Sequence, residues 1–127
     1  MGTVITEGAV ASDWLKSEAG NYYSRETITV ASGQGKLASG TLLAKVTASG
    51  KYVAAANTGA DGSQTAVAIL FNDVDATSAD QKAVAVARDA IVSHAGLTYG
   101  STINDATKRA TAHGQLAAVG ILVREGA

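Results

Sequence analysis

The sequence predicts a single, mainly β domain with one short α-helix, its strands curling into a small barrel-like sheet, and an extended arm in front of it. Three observations carry this prediction. Short apolar runs recur with period 2 between clusters of Gly, Ser, Asn and Asp, the pattern of half-buried strands and turns. One stretch, beginning at Asn104-Asp105, has both a helix start and a helix stop signal. The first 24 residues hold apolar side chains with no sustained period of either kind.

A chain of 127 residues is one domain's worth, able to bury roughly two-thirds of the surface its unfolded form exposes. Hydrophobic residues make up 46% of it and aromatics only 5%, so the core is expected to consist of small and β-branched side chains.

The elements follow in order. Residues 1–24 contain Val4, Ile5, Val10, Trp14, Leu15, Tyr22 and Tyr23, including the only tryptophan and two of the four tyrosines. Terminal segments are often loose but seldom rich in aromatic rings, the side chains favoured as interface anchors, so this segment reads as an arm for a partner. The alternative is that the rings pack back on the chain's own core. Arg25 to Val30 alternates as a first strand, with Glu26, Ile28 and Val30 on one face. Ser32 to Lys36 is a turn. Thr41 to Ala48 resumes the alternation, with Leu42, Ala44, Val46 and Ala48 inward and Lys45 and Thr47 outward, and Ser49-Gly50 turns it back into Lys51 to Ala55 as a hairpin.

Residues 57–63 form a loop, and Ala66 to Phe71, apolar on both faces, marks a buried central strand. Asn72 to Asp80 is an acidic loop. The alanines of Lys82 to Val92 favour a helix, while Val84, Val86 and Val92 at even spacing favour a strand, which is the reading adopted. The helix starts at Asn104-Asp105, where either side chain caps free N–H groups, and runs through His113 until Gly114 stops it. Leu116 to Val123 is a closing strand with Val119, Ile121 and Val123 on one side, ended by Arg124-Glu125.

Charge and composition exclude several classes. Ten basic against eleven acidic residues leave no broad positive field for a phosphate backbone or an anionic membrane, so neither nucleic acid nor membrane is expected as a partner. No run approaches the roughly 18 apolar residues of a membrane span, and Met1 to Val10 lacks a signal peptide's basic start and apolar block. The absence of cysteine removes disulfides and thiolate metal sites and suits assembly in reducing cytosol.

Gly33-Gln34-Gly35-Lys36-Leu37-Ala38 matches a loose glycine fingerprint, but a phosphate site needs a helix immediately after it and the next element alternates as a strand. His94 and His113 are the only histidines, and nothing in the spacing brings them together with carboxylates as a metal or acid–base site. Asp73, Asp75 and Asp80 offer oxygen ligands without the glycine turn and distal glutamate of a calcium loop. No serine sits in a nucleophile elbow. Lys108-Arg109 reads as a solvated helix face rather than a basic stripe. Neither a catalytic residue nor a metal or cofactor is expected.

From about Lys36 to Val123 the chain resembles the head decoration proteins of lambda-like phages. The resemblance rests on Gly40-Thr41-Leu42-Leu43 leading into Ser49-Gly50-Lys51-Tyr52-Val53, then a Gly/Asp loop and Ala66-Val67-Ala68-Ile69-Leu70. It rests also on Asp105-Ala106-Thr107-Lys108-Arg109-Ala110-Thr111-Ala112, followed by a small-residue turn and the terminal apolar strand. Unlike relatives of that kind it has no proline, and Asn72 to Tyr99 is longer.

The resemblance implies a β-tulip-like fold and no enzymatic activity or cofactor. It implies homotrimers at threefold positions on the outer surface of an expanded head. It also implies synthesis in the host cytoplasm and N-terminal arms that bind the major capsid protein. On this reading residues 1–24 are a capsid-binding arm, with Val4, Ile5, Val10, Trp14, Leu15, Tyr22 and Tyr23 as its contacts, and residues 25–127 are the decoration domain. The competing reading is a ligand-binding or carbohydrate-binding β-module with Tyr52, Phe71 or Tyr99 lining a groove.

Overall fold

The computed structural model describes residues 15–18, 25–56, 61–88, 90–93, 96–99 and 103–124. Ten strands and one helix are built from them: β1 Leu15–Glu18, β2 Arg25–Val30, β3 Gly35–Leu37, β4 Leu42–Lys45, β5 Tyr52–Ala54, β6 Ala68–Leu70, β7 Val74–Ala76, β8 Gln81–Val86, β9 Ala90–Ser93, α1 Ala106–Ala118 and β10 Ile121–Arg124. Five strands close into a barrel in the order β2-β5-β4-β6-β8. A three-stranded sheet, β1-β9-β10, and a two-stranded ribbon, β3-β7, complete the fold. The predicted mainly β, barrel-like domain with one helix is the observed one.

The barrel strands carry two cores, one on each face. Ile28, Val30, Leu43, Ala68, Leu70 and Ala85, with partly buried Tyr52 and Ala83, come from all five barrel strands and fill its interior, joined there by Ala76 of β7. Five strands enclose little space, since barrel diameter grows with strand number, and alanine is what fits between the larger side chains. The opposite face of β4, β6 and β8 presents Leu42, Ala44, Ile69 and Val86 to a second core with Ala90 and Val92 of β9, Ala112 and Leu116 of α1, and Ile121 of β10. The register enforces this division, because Leu43 faces Ala68 while the adjacent Leu42 faces Ile69.

Four expectations change at this level. In β4, Leu43 is as fully buried as Leu42, whereas Ala48 is exposed beyond the strand's end, because β4 lies between two cores and not at a surface. The Ser32–Lys36 turn and the Asn72–Asp80 acidic loop each contain a strand, β3 and β7, paired antiparallel with Lys36 opposite Asp75. Residues 82–92 form two strands, with the chain leaving the barrel after Val86 and joining the outer sheet at Ala90.

The fourth concerns the helix, which runs through Gly114 to Ala118, so that of the predicted closing strand Leu116–Val123 only Ile121–Val123 is strand, continuing to Arg124. Interior glycine costs about 1 kcal/mol, but Ala112 and Leu116, one turn apart, are the buried side chains of α1, and burying a leucine returns about 1.5–3 kcal/mol. The stop is Gly120, whose φ is +89°. Asp105 is the N-cap, accepting from the Lys108 amide at 2.8 Å.

Two glycines should therefore respond with opposite signs. Gly114 is exposed and a Cβ there meets no atom within 4 Å, so Gly114→Ala should stabilise the fold by about 0.5–1 kcal/mol. Gly62, at φ +106°, would place a Cβ 2.3 Å from the Lys45 carbonyl oxygen, so Gly62→Ala should destabilise it by about 2 kcal/mol. Urea unfolding midpoints check both, and a destabilising Gly114→Ala would mean that the helix ends there.

Candidate functional site

Of the seven arm positions named from sequence, Leu15 alone lies among the described residues, and it is structural. Leu15–Glu18 pairs antiparallel with β9, Leu15 opposite Val92, and the Leu15 side chain packs partly buried against the second core. The end of the expected arm is thus an edge strand of the domain. Val4, Ile5, Val10, Trp14, Tyr22 and Tyr23 lie outside the described residues. By chain order Tyr22 and Tyr23 fall in the connection between β1 and β2, and residues 1–14 precede β1.

Of the aromatic residues of the competing reading, Tyr52 packs on the barrel interior, whereas Phe71 and Tyr99 pack on the second core. Tyr52 lies half-buried against the barrel interior, and its phenol is raised above the ordinary value by burial and then by the negative charge of Glu26. Phe71 is covered by the Arg25 guanidinium, 3.9 Å from the ring centroid. Tyr99 packs on the second core and is hydrogen-bonded at 2.5 Å to Nε2 of His113, with Arg109 5.9 Å over its ring. A surface hollow of about 380 Å³ lies instead beside the β3-β7 ribbon, lined by Lys36, Leu37, Ala38, Asp73, Val74 and Asp75. Among the described residues its lining has no aromatic ring to stack on a sugar.

The described histidine and acidic candidates are absorbed by local structure. His113 is held by Tyr99, and His94 lies outside the described residues. Gly33 and Gly35 adopt φ of +91° and +75° where the chain turns into β3, with no helix after them. Among the described residues no three His, Asp or Glu side chains are grouped to hold a metal ion. The acids of the 72–80 segment work as turn and strand ties. Asp73 accepts from the Ser39 amide at 2.7 Å, Asp75 from the Thr77 hydroxyl and amide, and Asp80 from the Ser32 amide at 2.8 Å while pairing with Lys51 at 2.6 Å.

One large apolar side chain stands out on the described surface. Leu122 on β10 is 43% exposed, the one large hydrophobic side chain so exposed among the described residues. It was missed from sequence although a signal was present. With Ile121 and Val123 assigned inward, alternation leaves Leu122 as an apolar residue on the outer side of a terminal strand. Its register partner on β9 is Ile91, half-buried and part of neither core.

Residues 4–121 match the family model described as Bacteriophage lambda head decoration protein D. The chain belongs to this family. A search of curated proteins finds no match. The family match starts well before Lys36, where the quoted motifs begin, and it takes in most of the N-terminal segment. It sets a closed barrel with no assembled catalytic group among its described residues in a family named for decorating phage heads.

The acidic ties of this decoration-family domain give it an acid-side dependence. Asp80 is held below the usual carboxylate range first by its bond to Lys51 and then by the Ser32 amide. Asp75 and Asp61 are held low by the hydroxyls and amides of Thr77 and Ser63. A depressed folded pKa contributes stability that is fully present above the unfolded value of about 3.9 and is lost as pH falls through the lower folded value. Urea midpoints should therefore be level from pH 7 to about 5 and fall below about 4. Asp80→Asn should flatten part of that fall, and an unchanged acid slope would contradict the assignment.

Proposed function

We propose that this chain is a cement subunit of a phage head. It binds the outer surface of the expanded shell as a homotrimer at threefold or quasi-threefold positions. It grips the major capsid protein with its N-terminal arm and stabilises the expanded form. The observation that carries this reading is the family match over residues 4–121, which takes in both the arm segment and the barrel. The protein joins the virion from the host cytoplasm, and the proposal assigns it no catalysis, cofactor, nucleic acid or membrane.

The physical logic is that of tethered weak contacts. An expanded shell under internal pressure needs a clamp across subunit boundaries, and three subunits around one axis bring three arms to bear at once. Each bound trimer stabilises the shell state it recognises by mass action and leaves other states unaided. Ordering an extended arm costs about 1–2 kcal/mol per residue in backbone entropy, so only a segment with apolar anchors repays it. Strand addition to an edge of the shell would supply backbone hydrogen bonds, with alternate side chains in pockets.

Because β1 belongs to the folded domain, the arm in this proposal is residues 1–14, with Val4, Ile5, Val10 and Trp14 as its anchors. Deleting 1–14 should leave the thermal transition within a few degrees and abolish retention on expanded heads in a sedimentation assay. Trp14→Ala should weaken retention in part. Deletion through residue 24 should also lower the melting temperature, since it removes β1 and the packing of Leu15. Undiminished retention of the 1–14 deletion would move the grip to the barrel or its loops.

The trimer is tested separately. A cryo-electron microscopy map of decorated heads should show three copies about each occupied axis, and monomers or twofold dimers alone would contradict the proposal.

A further inference from the structure

We propose that the Asp61-Gly62 peptide bond is a latent site of spontaneous aspartate isomerisation, and that the loop around it, Gln64 above all, holds it unreacted. It is the one Asp-Gly pair of the chain, and no Asn precedes a glycine. In such a pair the missing Cβ leaves the glycine nitrogen open to the side-chain carbonyl carbon one residue back. The Gly62 nitrogen bonds to Cγ of Asp61, the bond from Cγ to the carboxyl hydroxyl breaks, and that hydroxyl leaves with the amide proton as one water. Water then opens the five-membered imide. Opening at the main-chain carbonyl leaves the chain running through the side chain of Asp61, with no net change in atoms and no redox partner.

Three conditions must be met, and the loop withholds each. The Gly62 amide must give up its proton, the carboxyl must be neutral so that its hydroxyl can depart, and the peptide unit between the two residues must be free to turn. The Gly62 amide donates to Oε1 of Gln64 at 3.0 Å. The Asp61 carboxylate accepts from the Ser63 hydroxyl at 2.6 Å and the Ser63 amide at 3.1 Å, bonds that favour its charged form. The backbone on both sides is tied as well, because the Asp61 carbonyl accepts from the Thr47 amide at 2.8 Å and the Gly62 carbonyl from the Thr65 amide at 3.2 Å. Gln64 is fixed in turn, its carbonyl accepting from Nε2 of Gln115 on α1 at 3.2 Å.

Neither residue can be exchanged for a less reactive one without cost to the loop. A Cβ on Gly62 would lie 2.3 Å from the Lys45 carbonyl oxygen at a φ of +106°, and Asp61 supplies the acceptor that ties Ser63. The reactive pair is therefore built into the turn, and only local opening of the loop releases it.

The test ages the full-length chain at neutral pH, folded in buffer and unfolded in concentrated urea. Isoaspartate at position 61 is then counted by proteolysis, chromatography and mass spectrometry. The folded chain should convert at least about tenfold more slowly than the unfolded one. Gln64→Ala should keep a melting transition close to wild type and convert about fivefold faster than wild type when folded, yet at the wild-type rate in urea. Ser63→Ala should also age faster when folded, and it takes the place of Gln64→Ala should that variant not fold. Equal rates for the folded and unfolded wild-type chain overturn the inference. So does a folded Gln64→Ala, or in its place a folded Ser63→Ala, that ages no faster than wild type.

Discussion

Burial of β4 and β6 on both faces is the constraint on which the rest of the structure depends. Leu43, Ala68 and Leu70 look into the barrel, while Leu42, Ala44 and Ile69 look out of it, and both sets are almost wholly shielded from water. A barrel alone would leave the outward set exposed. The helix and the β1-β9-β10 sheet are the cover for that set, which explains why a five-stranded barrel carries them and why α1 continues past an interior glycine until Leu116 is seated.

Polar ties hold this cover in register with the barrel. The Gln115 side chain accepts from the Ala66 amide at 2.8 Å and donates to the Gln64 carbonyl at 3.2 Å, joining α1 to the loop before β6. Backbone bonds between Leu42 and Thr98, and between Thr98 and Gly40, tie the segment after β9 to the start of β4. On the barrel's far side Asp73 and Asp80 tie the β7 region to the backbone at Ser39 and Ser32. These carboxylates are occupied in holding turns, so the acidic segment that reads as a plain loop in one dimension is scaffolding in three.

A domain of this kind suits mechanical work. Asp61, Asp73, Asp75, Asp80 and His113 are engaged in local structure, while the N-terminal chain joins the fold along a sheet edge, with Leu15 packed on the second core. In the cement proposal, force on the arm would pass to the β1-β9 ladder and the packing behind it.

Much was legible in the sequence because local rules governed it. The alternation of Arg25–Val30, the Gly50 turn with φ +73°, the doubly apolar run at Ala68–Leu70 and the Asp105 cap all express steric and hydrogen-bonding preferences that act within a few residues. The family resemblance was legible for the same reason, being an order of such local signals. Tertiary structure alone decided what depends on distant partners. Val74–Ala76 and Gly35–Leu37 are too short to read as strands until each pairs with the other, and Leu43 looks solvent-facing until a barrel closes around it. Gly114 looks like a stop until Leu116 has a core to enter, and Leu15 looks like arm until β9 lies beside it. In each case burial or pairing across the fold outweighed a local preference worth about 1 kcal/mol, a margin that no window of sequence contains.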